Sequence, residues 1–189
     1  TTTMYGMVNR ALKALLCEQF GEASWQEIRA KAGVTTDEFA SMTTYDDAIT
    51  YQLAGAASEV LDTPLEDLLR AFGNYWIVFA SKSSYAILLD QSGDTMGDIL
   101  AGLDEMHTRL SLAFPDLRPP SFRVVSNDGE TIMLRYESFR PALVPFVCGL
   151  IEGLAARLGV KVDAELVEPK SEGNPSDLLR IKVSPLEST

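Results

Sequence analysis

The chain has 189 residues, 46% of them hydrophobic and 23% charged, a balance typical of a soluble globular domain and unlike that of a disordered or collagen-like chain. Sixteen Lys and Arg against 27 Asp and Glu give a formal charge of -11, which argues against a phosphate-backbone partner because nucleic-acid affinity rests on basic groups. Cys17 and Cys148 are too few and too far apart for a disulfide framework or a four-thiolate zinc site. With no apolar run of 18 residues and no signal-peptide start, the chain is expected to be soluble and cytoplasmic. Thr1 to Thr3 read as an appended or disordered start, which leaves 4–186 as a single domain.

From Met7 the apolar residues Val8, Ala11, Leu12, Leu15 and Leu16 recur at helical spacing, and Gly21 stands where a helix would stop. Ser24 with Glu27 reads as a capping box opening a short second helix closed by Gly33. Asp46 to Val60 forms a further helix. Thr63, Pro64 and Glu66 supply a cap, a proline at the first helical position and an acid at the third, ahead of an apolar face made by Leu65, Leu68, Leu69, Phe72, Trp76 and Phe79. Met96, Ile99, Leu100, Leu103, Met106, His107 and Leu110 mark one stripe of a helix that begins near Asp94 or Thr95 and is ended by Pro115. After Pro120 the period changes to two: Phe122 to Ser126, a turn at Asn127-Asp128-Gly129, then Ile132, Leu134 and Tyr136 alternating with Thr131, Met133 and Arg135 make a hairpin. A helix over 142–158, stopped by Gly159, precedes strands near Val160 to Glu168 and Asp177 to Val183. The fold class is therefore α+β, a helical N-terminal half followed by an antiparallel sheet of about four strands with one packed helix.

His107 is the only histidine, and it lies on the apolar face of its helix. Such a residue is ordinarily a hydrogen-bonded core side chain. As a ligand it suits haem better than zinc, since zinc needs further nitrogen or sulfur donors whereas a porphyrin brings four nitrogens and needs one from the protein. Tyr136, Ser138 and Arg140 are spaced so that an extended segment would present all three on one face. On spacing alone they read as exposed sheet residues; read as a site, they offer two hydroxyls and a guanidinium to a carboxylate such as a haem propionate.

These residues sit among others in a recognisable order: Met4-Tyr5-Gly6 with Val8-Asn9, Tyr45-Asp46-Asp47 with Thr50-Tyr51, Phe72-Gly73-x-Tyr75-Trp76, Leu103-Asp104-x-x-His107, Arg118-Pro119-Pro120-Ser121-Phe122, Tyr136/Ser138/Arg140 and Gly149-Leu150-Ile151 with Gly153. The chain resembles the haem-nitric oxide/oxygen-binding (H-NOX) family, bacterial relatives of the haem domain of soluble guanylate cyclase. The resemblance implies haem b held between the two halves, His107 as the sole protein ligand to ferrous iron, Tyr136, Ser138 and Arg140 on the propionates, and Pro120 pressing on the porphyrin. Leu103, Met106, Val8, Leu12, Trp76, Phe146 and Leu150 are the expected pocket neighbours. Oxygen-binding members place a tyrosine at the position assigned here to Pro145. Proline has no donor, and bound oxygen gains far more than bound NO from one, so the expected ligands are NO and CO. Trp76, whose indole N–H can reach a ligand or a propionate, is the exception. The cysteines read as inert buried thiols; no cysteine follows Cys148, and Val124 stands where the cyclase domain carries one.

The resulting expectation is a gas sensor, not an enzyme, because a peroxidase would need a distal acid–base residue and the one histidine is committed. A haem carrier or scavenger is the alternative. The resemblance implies a histidine kinase or a diguanylate cyclase/phosphodiesterase as the signalling partner, reached by surface contact because no output domain follows the last strand; neither nucleic acid nor membrane is expected.

Overall fold

The computed structural model describes residues 2–83 and 86–186. Six helices and six strands follow one another as β1 (Thr3–Tyr5), α1 (Gly6–Lys31), β2 (Thr44–Asp46), α2 (Asp47–Val60), α3 (Leu65–Ser81), α4 (Ala86–Asp90), α5 (Met96–Ala113), β3 (Ser121–Asn127), β4 (Thr131–Glu137), α6 (Val144–Leu158), β5 (Val160–Glu168) and β6 (Ser176–Pro185) among the described residues. The four long strands form one antiparallel sheet in the order β3-β4-β6-β5, and α6 covers its inner face. Ile132, Leu134 and Tyr136 point inward and are buried while Thr131, Met133 and Arg135 alternate outward, as the period of two predicts. No helix among the described residues is long and apolar enough to cross a membrane.

Several expectations at the N-terminal end are corrected. Thr3 is not part of a loose start: it pairs with Asp46 in a two-stranded sheet that alternation could not reveal, because three-residue strands carry too little pattern. Thr1 lies outside the described residues. The first two predicted helices are one element, α1, interrupted only at Gly21, whose φ of 85° and ψ of 162° are non-helical. Ser24 does not cap; its hydroxyl donates to the Phe20 carbonyl at 2.8 Å across that interruption. In α3 the cap position is Pro64 rather than Thr63, and Leu65 is exposed. The short helix α4 has no counterpart in the sequence reading, being too brief to show a period.

Two cores meet in the molecule. Leu12, Leu16, Trp25, Ile28 and Leu53 fill the helical half; Leu100, Leu134, Ile151, Leu179 and Ile181 fill the sheet half. The halves are joined where α3 crosses α6 at glycines. A Cβ on Gly73 would lie 1.9 Å from the Phe146 carbonyl oxygen, and one on Gly149 would lie 1.8 Å from that of Arg70. Arg70 and Glu152 pair beside this crossing, and Arg70 also donates to the Ala164 carbonyl at 3.5 Å. Neither backbone can retreat without opening a core, so Gly149→Ala is expected to destabilise the fold by about 3 kcal/mol, near the upper end of ordinary overpacking. Gly55→Ala, in α2 with open space around it, is expected to stabilise by up to about 1 kcal/mol through helix propensity. Urea midpoints of the two variants in the cofactor-free protein check both signs.

Candidate functional site

Between the halves lies a cavity walled by the start of α1, by α2, α3 and α5, by the segment that leads into β3, by the end of β4 and by α6. Its walls are largely apolar, and it contains His107, Pro120, Tyr136, Ser138 and Arg140 together with Leu103, Met106, Val8, Trp76, Phe146 and Leu150. Leu12 is the one expected pocket residue not on the wall; it is fully buried in the core of the helical half.

His107 is delivered by α5, whose N-cap Thr95 accepts from the Asp98 amide and whose stripe of Leu100, Leu103 and His107 repeats at helical spacing. Its Nδ1 is buried and has no hydrogen-bond partner. Burial holds the imidazole below its ordinary pKa, against the opposing pull of Asp104 and of the Pro120 carbonyl, so the ring is neutral near pH 7 and offers a lone pair. The His107 ring lies 6.1 Å from that of Phe122, which lies 5.4 Å from that of Tyr136, so an aromatic row connects α5 to β4 along the cavity. Asp104, one turn before His107, accepts from the Phe122 amide at 2.8 Å and from the Ser121 hydroxyl at 2.7 Å. Helix α5 and the start of β3 are thereby tied together, and Pro120 is held at the wall beside His107. The sequence showed Asp104 only as part of a motif, with nothing to indicate its partners.

Tyr136, Ser138 and Arg140 meet at the cavity, but not by the strand periodicity expected of them. Strand β4 ends at Glu137, so Ser138 and Arg140 belong to the loop that follows. The Arg140 amide donates to Ser138 Oγ at 3.1 Å, and that turn aims the guanidinium back. Burial raises the Tyr136 phenol above its ordinary pKa, which keeps it a hydrogen-bond donor.

Arg140 was expected to await a carboxylate, yet one is already present. Its Nε donates to Asp47 Oδ2 at 2.9 Å, its Nη2 to Asp47 Oδ1 at 3.4 Å and to the Thr3 carbonyl at 2.9 Å, and its Nη1 to the Arg118 carbonyl at 2.8 Å. Both side chains of the ion pair are about nine-tenths buried, at 10% and 7% exposure. Asp47 is therefore a site residue that the sequence reading missed. The sequence named it only as a motif member, and the cap of α2 is the adjacent Asp46, which accepts from the Ala48 amide.

Pro145 does not line the cavity; its neighbour Phe146 does. Helix α6 starts at Val144 with its proline in the first turn, and the 100° step between successive residues turns Phe146 inward where Pro145 is not. Phe146 packs edge-on against Phe72 with ring centres 5.1 Å apart. Phenylalanine, like proline, carries no donor, so the expectation of a donor-poor wall is unaffected by the change of residue. Trp76 lines the cavity, stacked on Phe79, and its indole N–H makes no hydrogen bond among the described residues. Cys148 is buried, but Cys17, expected to be so, is only partly covered and donates its thiol to Glu22 Oε2 at 3.3 Å; desolvation pushes the Cys17 thiol up to about 11 and the Cys148 thiol also upward, so both are protonated.

This arrangement fits a haem: a neutral imidazole with an unpartnered nitrogen in an apolar wall, and hydroxyl and guanidinium donors where propionates would lie.

Comparison with known proteins gives the same direction. A family model described as haem-NO-binding matches residues 5–166. Soluble guanylate cyclase gcy-31 of Caenorhabditis elegans is 29% identical over 155 residues, covering 82% of this chain and 22% of that protein. Soluble guanylate cyclase 89Db of Drosophila melanogaster is 20% identical over 186 residues, covering 97% and 28%. The chain thus spans about a quarter of the length of these relatives. Among solved structures, the Fe(II) unliganded H-NOX protein from K. algicida superposes with a TM-score of 0.83 at 20% identity, covering 98% of this chain and 100% of that one. The H-NOX protein from S. oneidensis in the Fe(II)NO ligation state also gives 0.83 at 20% identity, with 96% and 99% covered. At that identity the likeness is one of fold.

Proposed function

The chain belongs to the haem-NO-binding family of haem-based gas-sensing domains, and from that premise we propose that it binds NO and CO at ferrous haem b, excludes oxygen, and passes the signal to a partner protein. The observation that carries this reading is the unpartnered Nδ1 of a buried, neutral His107 in the wall of an apolar cavity. His107 would hold the iron through a ring nitrogen. Tyr136, Ser138 and Arg140 orient the cofactor by its carboxylates, with Asp47 holding the guanidinium in place. Leu103, Met106, Val8, Phe146 and Leu150 exclude water. Haem iron, when bound, supplies the coordination position for a diatomic gas.

Selectivity follows from donors. The Tyr51 hydroxyl is spent on the Pro141 carbonyl, Thr50 donates to Asn9 Oδ1, and Phe146 has nothing to donate. Of these side chains none would offer a free hydroxyl to a polar diatomic ligand, leaving the Trp76 indole N–H as the one spare donor on this part of the wall among the described residues, and a nearly apolar ligand such as NO would lose little by that. Signal transmission is assigned to α5: a displacement of His107 moves α5, and Asp104 carries that displacement to the start of β3. A histidine kinase or a diguanylate cyclase/phosphodiesterase in the cytoplasm is the partner class this reading expects.

Absorption spectra of the ferrous protein under argon, air and NO test the proposal. The expected result is an unchanged spectrum on admitting air and a shifted one with NO or CO. A stable oxygen complex in air at room temperature would assign the missing donor to Trp76 and overturn the selectivity.

A further inference from the structure

The loop that carries Ser138 and Arg140 has no helix or strand of its own, and it contains Ala142 at a φ of 60°, a left-handed conformation that is strained for an alanine. Something outside the loop must hold it. Two side chains far away in sequence do so by binding its carbonyls. Tyr51, on α2, donates its hydroxyl to the Pro141 carbonyl at 2.9 Å. Lys170, in the turn between β5 and β6, donates its Nζ to the Ser138 carbonyl at 3.1 Å.

Each anchor is itself held. The Lys170 amide donates to Asp177 Oδ1 at 2.8 Å, and Asp177 is a buried carboxylate directly opposite Tyr136 in the sheet register. Tyr51 lines the cavity near Asp47 and Arg140, and burial pushes its phenol up to about 12, so it remains a donor throughout the physiological range. One anchor therefore reaches the loop from the helical half and the other from the sheet half.

We propose that Tyr51 and Lys170 are positioning residues of the carboxylate clamp, holding the 138–142 loop so that Tyr136, Ser138 and Arg140 converge on a carboxylate-bearing planar cofactor. The proposal rests on the haem reading for the identity of that cofactor, while the bracing itself is a property of the protein alone. Neither residue needs to touch the cofactor's carboxylates. Each fixes a carbonyl within two residues of Arg140, and a clamp whose donors stray by an ångström loses most of its advantage in orientation.

The test compares the wild type with Tyr51→Phe, Lys170→Met and Lys170→Arg, each loaded with iron protoporphyrin IX or with its dimethyl ester, which lacks the two charged carboxylates. Transfer to apomyoglobin reads the rate of loss. Tyr51→Phe and Lys170→Met are expected to speed loss of the dicarboxylate about fivefold, the weight of one hydrogen bond, and to leave loss of the ester unchanged. Lys170→Arg is expected to restore the wild-type rate. Equal acceleration for both porphyrins, or for neither, overturns the proposal in favour of a merely structural role or none. A second arm uses the cofactor-free protein: amide exchange over 138–143 is expected to rise in Tyr51→Phe and Lys170→Met with the rest of the sheet unaffected. Unchanged exchange there overturns the bracing whatever the porphyrins do. A wild type that takes up neither porphyrin, with exchange raised in the variants, refutes the haem reading and leaves the bracing supported.

Discussion

His107→Gly is expected to abolish the bond between protein and iron, and free imidazole added to the variant is expected to restore a five-coordinate ferrous haem. The chain has no second histidine. Cys17 and Cys148, the remaining soft donors, do not line the cavity; both thiols are pushed upward by burial and are poor ligands as neutral groups. Glycine leaves a gap in the wall in place of the ring. Imidazole can fill that gap without a peptide link, so the rescued haem recovers its spectrum while α5 no longer feels the ligand. The measurement is the ferrous absorption spectrum under argon, with and without imidazole. If the variant without imidazole kept the wild-type spectrum, another group would hold the iron and the assignment of His107 would fail. In the rescued variant, NO is expected to bind with no change in the partner's activity, because the mechanical link through His107 is cut.

Arg140→Ala is expected to be the most damaging single change at the cavity's polar end, and to act before any cofactor is present. In the folded chain the guanidinium compensates Asp47, a buried carboxylate, and closes hydrogen bonds with the Thr3 and Arg118 carbonyls. Its removal leaves a buried charge unpaired, a loss of about 3–5 kcal/mol. The urea midpoint of the cofactor-free protein reads that loss directly. Tyr136→Phe removes one neutral donor and is expected to cost about 1 kcal/mol. Rates of haem loss from the two variants are expected to rank the same way, with Arg140→Ala the faster. The reverse ranking, or an Arg140→Ala protein as stable as the wild type, would mean that Asp47 is solvated once the arginine is gone and that the clamp is organised around Tyr136. Double replacement of Arg140 by Ala and Asp47 by Asn is expected to recover much of the stability and little of the haem retention, which separates the ion pair from the clamp.

Local, periodic features of the fold could be read along the chain. A stripe of six apolar residues from Met96 to Leu110 placed His107 on the inner face of a helix, and the alternation from Thr131 to Tyr136 placed Tyr136 on the inner face of a strand, because one turn of helix or one pleat of strand is decided by residues within about four positions of each other. The hairpin turn, the stop at Gly159 and the order of the longer elements from α5 to β6 were legible for the same reason, whereas the three-residue strands β1 and β2 and the short α4 were not. Meetings between distant segments, by contrast, could not be read there. Asp47 and Arg140 are 93 positions apart, and no pattern near either one says that they pair. Asp104 reaches the start of β3, Tyr51 and Lys170 reach the loop after β4, and Gly73 and Gly149 let α3 and α6 cross at backbone contact. Phe146 rather than Pro145 faces the cavity because the phase of α6 is set by where that crossing seats it, and a count along the chain from Arg140 carries no such phase. Local spacing chooses which face of an element is apolar; the close packing of one whole surface on another chooses which side chains on those faces touch, and the polar end of this site is made of such contacts.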